Sequence, residues 1–166
     1  MRIRRATEAD APSVARVLRE AFAEVDRLYT RDAYAATAPA HAEIARRLAE
    51  GPTWVAEDEG AVVGTVAAAA SERGVYVRSM AVAPAARGRR IALQLMRQLE
   101  IFAVSKDAPR LYLSTTPFLF DAIRLYEAFG FRRTGEPPHD LHGTPLFTMA
   151  KPLVSSRADP GSGPRS

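Results

Sequence analysis

The sequence predicts one α/β (α+β) domain, a mixed central sheet of about seven strands flanked by about four helices. Three observations carry that expectation. Strand-like and helix-like runs follow one another in the order β-α-α-β-β-β-α-β-α-β-β. Residues 53–82 read as a meander, with apolar runs parted by the turn clusters Glu57-Asp58-Glu59-Gly60 and Ser71-Glu72-Arg73-Gly74. A strand, a helix and another strand come next, and such a unit pairs its two strands in parallel. The 166 residues, 47% hydrophobic and 25% charged, suit a single core. The domain is expected over residues 1–153, and residues 154–166, which lack any apolar pattern, are expected to be a disordered tail.

The elements can be taken in turn. Residues 1–5 alternate Ile3 with Arg, as a first strand does. Thr7 has the character of an N-cap, with Asp10 in the capping-box position. Val14, Val17, Leu18, Ala21, Phe22 and Val25 follow at helical spacing. The pattern dissolves over residues 26–39, where "RLYTRDAYAAT" mixes aromatics and charges without a period. A second helix is expected over residues 40–50, with Ile44 and Leu48 inward and Gly51 as its C-terminal stop. Residues 53–56 and 61–66 form a hairpin, and residues 75–82 are the third strand of the meander. Ile91, Leu95, Leu99 and Phe102, backed by Ala92 and Met96, make one face of a long helix. Pro109 precedes a strand over residues 111–114, and Pro117 breaks it. Ala122, Leu125, Tyr126 and Phe129 repeat at helical spacing until Gly130 stops them. Residues 131–134 and 146–149 read as a last pair of strands, joined by the turn-rich loop "GEPPHDLHGTP".

Composition excludes several classes of function. No apolar run is long enough to span a bilayer, and the basic start "MRIRRATEAD" has no apolar stretch behind it, so neither a membrane protein nor a secreted one is expected. With no Cys there is no disulfide frame, no thiolate nucleophile and no Cys-based zinc site, and three His do not argue for a metal. A cytoplasmic protein without a metal is the expectation. The net charge of +4 favours an anionic partner, either nucleic acid or a phosphorylated small molecule. Arg carries almost all of it, since only Lys106 and Lys151 are Lys.

The stretch "SMAVAPAARGRRIALQLM" concentrates that charge between a strand and a helix start. A helix N-terminus leaves backbone N–H groups without partners and carries partial positive charge, which makes it a site for phosphate or diphosphate. Gly88 would let the backbone approach such a ligand, and Arg87, Arg89 and Arg90 would add attraction. Cations at a helix start cost roughly 0.3–1 kcal/mol each at exposed sites. Three of them with no Asp or Glu beside them in sequence make a poor choice for stability alone, so an anionic ligand is expected there.

Two motifs now carry a resemblance. Arg87-Gly88-Arg89-Arg90-Ile91-Ala92 resembles the acyl-CoA signature of the GNAT superfamily of N-acyltransferases, Gln/Arg-x-x-Gly-x-Gly/Ala, with Arg87 and Ala92 fitting and Arg90 standing where Gly is usual. "DAIRLYEAFGF" resembles that family's Ala-x-x-Leu-Tyr-x-x-x-Gly-Phe segment, with Ala122, Leu125, Tyr126, Gly130 and Phe131 in register. The likeness covers roughly residues 1–152. It implies a single GNAT-like domain and an N-acetyltransferase that moves an acetyl group from acetyl-CoA to a primary amine of a small molecule or protein by direct attack. The alternative is a non-catalytic acyl-CoA-binding regulatory module of the same fold. Nucleic acid is not expected, for want of an aromatic-and-basic motif; a homodimer is left open.

By the same resemblance, backbone N–H groups over Gly88, Arg89, Arg90, Ile91 and Ala92 hold the diphosphate of coenzyme A, with Arg87 beside them. The strand end at Met80, Ala81 and Val82 hydrogen-bonds the pantetheine arm, and a bulge there aims the Ala81 or Val82 N–H at the thioester carbonyl. Tyr126 takes the place of the general acid that protonates the departing thiolate, although its place on an apolar helix face also suits a core residue. Arg78-Ser79 stands where many members carry a basic Glu, and Leu119 where many carry Asn. The base is therefore left among Glu24, Asp26, His139, His142 and water. Tyr29, Arg31, Asp32 and Tyr34 fall in the segment that would line the acceptor pocket. A helical residue at position 90 need not take positive φ, so Arg is conformationally possible there.

Overall fold

The computed structural model describes residues 1–154, so the tail expected beyond residue 154 lies outside the described residues. The first strand, β1 (Arg2–Arg5), is followed by a 3-10 turn (Glu8–Asp10) and helix α1 (Ala11–Phe22). The Thr7 N–H donates to Asp10 Oδ2 at 2.8 Å, as the capping box requires. A 3-10 segment (Ala23–Leu28) leads to α2 (Arg31–Thr37), a short helix where the sequence shows no period. It starts at Thr30, whose Oγ1 accepts from the Ala33 N–H at 3.2 Å, and its one buried residue is Ala33. Helix α3 (His41–Glu50) comes next.

Gly51 ends α3, as the sequence suggested, and does so in an extended conformation, φ 178°. Its glycine has another reason: a Cβ there would collide with the Ala68 carbonyl oxygen of the sheet. Strands β2 (Thr53–Asp58), β3 (Ala61–Ser71) and β4 (Gly74–Val82) form the antiparallel meander. A 3-10 turn (Pro84–Ala86) leads to α4 (Ile91–Ser105), then β5 (Arg110–Thr115) and α5 (Phe120–Phe129), which Gly130 closes at φ 107°. Short β6 (Arg132–Arg133) and β7 (His139–Leu141) precede β8 (Thr144–Pro152). Strand β7 lies inside the loop read as turns, and pairs with β8 through a tight turn with positive φ at His142 and Gly143.

The sheet runs β1-β2-β3-β4-β5-β8-β6, with β7 on β8, so the described residues form eight strands against about seven expected, and five α-helices against about four. Among the described residues only β4 and β5 are parallel, the pair joined through α4. The period of two in the strands divides the core. Trp54, Ala56, Val66, Val75, Val77, Leu111 and Leu113 pack under Ile91, Leu95, Met96 and Leu99 of α4. Val55, Val62 and Ala81 pack on the opposite face against Val14, Val17 and Leu18 of α1 and Ile44 of α3.

One extra residue changes the parity of β4. The pairs Thr65↔Ala81 and Ala67↔Arg78 enclose two steps on β3 and three on β4, which is a β-bulge. Ser79 sits in it at φ 55°, a conformation that strains a non-glycine residue by roughly 1–3 kcal/mol. The bulge turns Ala81 toward α1, although Val75 and Val77, of the same odd number, face α4. No helix among the described residues is long and apolar enough to cross a membrane.

Candidate active site

Strands β4 and β5 share the register pairs Val75↔Leu111 and Tyr76↔Tyr112 and no more. Beyond them β4 continues to Val82 and β5 to Thr115, so the two strands part into a wedge. The bulge lies on the β4 side of this wedge. Three cavities run along it, each overlapping the next.

The outermost cavity is apolar and lies at the start of α4, lined by Val82, Gly88, Arg90, Ile91 and Ala92, with Leu125 of α5 opposite. Gly88 has φ 78° and Arg90, the N-cap of α4, has φ 60°. The expectation that position 90 would be helical, without positive φ, is therefore corrected. The turn from 3-10 geometry into α4 needs a left-handed residue at this point, and an L residue there costs roughly 1–2 kcal/mol more than Gly. The first N–H groups of α4 have no intrahelical acceptor, as in any helix.

The arginine cluster also reads differently in three dimensions. Arg89 pairs with Asp58 at 2.7 Å, and Arg87 lies 3.6 Å from Glu24 while donating to the Ala21 carbonyl at 3.1 Å. Carboxylates distant in sequence thus compensate two of the three cations, and only Arg90 has no carboxylate partner among the described residues. Arg89 lines none of the three cavities, whereas Arg87 and Arg90 both do. The Arg89 guanidinium also holds the Asp58 carboxyl below the usual range for Asp.

The middle cavity is bounded by Met80, Ala81 and Val82 of β4, Ala92, Glu24 and Tyr126. Tyr126 borders both this cavity and the innermost one, and only 8% of it is exposed. Its ring lies 5.8 Å from that of Phe131, so it is a core residue as well as a cavity wall. Burial, with the Tyr29 and Tyr76 phenols nearby, raises its pKa well above the ordinary tyrosine value. Its hydroxyl therefore stays protonated throughout the neutral range.

The innermost cavity, about 270 Å³, lies between the parted strands and the segment after α1. Tyr29 walls it, edge-on to Phe22 at 6.3 Å and to Phe118 at 5.0 Å, and burial raises the Tyr29 pKa. Tyr34 packs against Tyr29 from outside at 6.4 Å, and Arg31 and Asp32 do not reach the cavity. The charged side chains that line it are Arg47 of α3 and Arg78 of β4; none of its lining residues is Asp or Glu. Arg78 Nη2 donates to Glu50 at 3.2 Å, while its buried Nε has no acceptor. The buried hydroxyls of Thr115 and Thr116 also lack hydrogen bonds; Thr116 lies near the Tyr29 hydroxyl without bonding geometry.

The candidate bases separate by position. Glu24 borders the middle cavity and is held toward Arg87. Asp26 borders none of the three. His142 serves the β7–β8 turn, where its carbonyl accepts from Thr30 Oγ1 at 2.6 Å. His139 Nε2 lies 3.1 Å from Ser114 Oγ, and Ser114 lines the innermost cavity. Sequence reasoning passed over Arg47, Ser114, Thr115 and Thr116. The available signal was the polar end of "LYLSTT", an abrupt change in a strand otherwise apolar on one face.

A family model described as the acetyltransferase (GNAT) family matches residues 14–131. The uncharacterized N-acetyltransferase YjgM of Escherichia coli (strain K12) is 36% identical over 135 residues, 78% of this chain and 80% of that protein. Human N-acetylaspartate synthetase is 41% identical over 102 residues, 60% of this chain. The chain spans only 30–34% of the length of the N-acetylaspartate synthetases it matches from Danio rerio, Xenopus tropicalis and Homo sapiens. A phosphinothricin acetyltransferase of Sinorhizobium meliloti, solved in complex with AcCoA, superposes with a TM-score of 0.74 at 26% identity, over 98% of this chain and 94% of that one. The PaiA N-acetyltransferase of Thermoplasma acidophilum, solved with coenzyme A, gives a TM-score of 0.75 over 92% of this chain and 98% of that one; at 14% identity it shows the fold alone.

Proposed function

Because the chain belongs to the acetyltransferase (GNAT) family and is thereby an acyltransferase, we propose that it moves an acetyl group from acetyl-CoA to a primary amine by direct attack. The observation that carries this reading is Tyr126, which stands where an apolar cavity leading to an open helix start meets a polar cavity. Residues 1–153 are assigned to the catalytic domain. When bound, acetyl-CoA supplies an activated thioester, whose C–S bond breaks as the amine nitrogen bonds to the carbonyl carbon.

The residues present suit that co-substrate. A Cβ at Gly88 would meet nothing within 4 Å, so the turn is open on its outer side. Backbone N–H groups over Gly88, Arg89, Arg90, Ile91 and Ala92 are assigned to the diphosphate, with Arg87 and Arg90 adding charge. Arg89, committed to Asp58, acts only at longer range. Met80, Ala81 and Val82 are assigned to the pantetheine arm. The bulge at Ser79 and Met80 interrupts the β3 ladder, which resumes at Ala81 and Val82, and β4 has no register partner on β5 beyond Tyr76, so an N–H on that side can polarise the carbonyl.

Tyr126 donates its proton to the leaving sulfur and recovers one from solvent. His139 accepts the proton of the amine through Ser114; of the four candidates it alone is bonded to a residue of the innermost cavity. The absence of any carboxylate from that cavity favours a second reading, a module that binds acyl-CoA without turning it over.

One pair of measurements tests the proposal. Calorimetry should show acetyl-CoA binding, and a thiol-release assay over a panel of primary amines, aspartate included, should show acceptor-dependent turnover. Binding without turnover would favour the module. No binding at all would end both readings.

A further inference from the structure

We propose that the acceptor amine carries a carboxylate, which Arg78 and Arg47 recognise together with the hydroxyls of Thr115 and Thr116. This rests on the transferase reading and names the substrate class of the same site. The innermost cavity is lined by two guanidinium groups and by no Asp or Glu. Glu50 and Glu43, which partner those arginines, stand outside the lining.

The hydrogen-bond inventory points the same way. Four buried side-chain polar atoms lack a partner among the described residues, and three of them belong to this cavity: Arg78 Nε, Thr115 Oγ1 and Thr116 Oγ1. Buried polar groups are nearly always paired, because an unmade bond costs roughly 1–3 kcal/mol. Thr115 is 3% exposed and Thr116 is 1% exposed, so water at the protein surface does not satisfy them. Residues that line this hollow thus hold one N–H and two O–H donors without partners, beside two guanidinium groups, and such donors suit the two oxygens of a carboxylate.

A chemical consequence follows. A bare ammonium meets no carboxylate in this lining, whereas an amine with a carboxylate enters as a zwitterion whose carboxylate the two guanidinium groups face. Once there, the positive field lowers the pKa of its ammonium group and favours the neutral nucleophile. The arginines therefore take over part of the work that a Glu base performs, which suits Arg78 standing where such a Glu is usual.

The test compares each of a set of amino acids with its own primary amide, using thiol release at saturating acetyl-CoA. The acids should be favoured in kcat/KM by about tenfold to a hundredfold, as expected for charge-assisted hydrogen bonds. Arg78→Gln should remove that preference by raising KM for the acids alone, with the KM for acetyl-CoA unchanged. Should Arg78→Gln not fold, Thr116→Val answers the same question. It removes an unpaired buried hydroxyl, so it should hold or raise Tm while raising KM for the acids severalfold. Equal rates on acid and amide overturn the proposal, as do equal losses on both in Arg78→Gln or an unchanged KM in Thr116→Val. If no acid or amide releases thiol while acetyl-CoA still binds by calorimetry, the carboxylate proposal falls and the cofactor site stands. Loss of acetyl-CoA binding overturns the transferase reading and this proposal with it.

Discussion

Arg4 on β1 and Arg78 on β4 belong to one sheet and end in opposite ways. Arg4 gives Nε to Glu57 at 2.8 Å, and its two terminal nitrogens to Asp10 at 2.8 and 2.9 Å. Asp10 in turn caps the turn before α1, so strand, turn and helix share one closed network. Arg78 gives one nitrogen to Glu50 and leaves Nε buried and unanswered. The difference teaches where stability ends and function begins. The β1 side satisfies its own charges, whereas the wedge between β4 and β5 keeps donors open, a cost that local folding does not explain.

That contrast can be broken or sharpened. The largest effect is expected from Tyr126→Phe, which removes one oxygen from the wedge. Steady-state kinetics should show kcat falling roughly 10²-fold or more, the usual worth of a general acid, with little change in the KM for acetyl-CoA or in Tm. An unchanged kcat would move Tyr126 to the structural side, alongside Arg4. On that side, Asp10→Ala should leave kcat alone and lower stability by about 2–3 kcal/mol, from a lost cap and a lost ion pair. Thermal unfolding should show Tm down by roughly 5–10 °C.

The pH dependence follows from the same carboxyl. Its hydrogen bonds with Arg4 hold the Asp10 pKa at about 2, against about 3.9 for an unfolded Asp. Protons thus bind the unfolded chain more tightly. The stability due to this group is full above the unfolded value and is lost as pH falls toward about 2. Denaturant titrations of the parent and Asp10→Ala should therefore converge over that interval and stay parallel at neutral pH. The smallest effect belongs to Arg90→Gly at the helix start. Relief of the left-handed strain should raise stability by about 1 kcal/mol, and acetyl-CoA affinity should stay within about tenfold. A complete loss of binding would mean that the side chain, and not the backbone, makes this site.

How far the sequence could be read depended on what carries each feature. Periodic apolar runs announced α1, α3, α4, α5 and the meander, because burial itself sets the period. Helix α2 was illegible: it buries only Ala33 and is held by the Thr30 cap, and Thr30 itself bonds to the β7–β8 turn, over a hundred residues away. Strand β7, His139–Leu141, is only three residues long and exists by pairing with β8. In the site, Tyr126 and the Gly88 turn were visible as local spacing. The partners of Arg87 and Arg89 were not, since Glu24 and Asp58 meet them only through the fold. The wall of the innermost cavity was hidden for the same reason: Arg47, Arg78 and Thr116 come from α3, from β4 and from the segment after β5.

The parting of β4 from β5 also bears on how this chain avoids its own kind. A sheet split after two register positions has inner edges as well as outer ones. The outer margins are blunted, β1 by its arginines and β6 by being only two residues long. The inner margins are longer and more apolar, and backbone of that sort recruits foreign strands wherever it can be reached. Here it lies at the bottom of a slot between Phe22 at the end of α1 and Tyr126 on α5. A strand of a second sheet would have to displace these two side chains before it could reach that backbone.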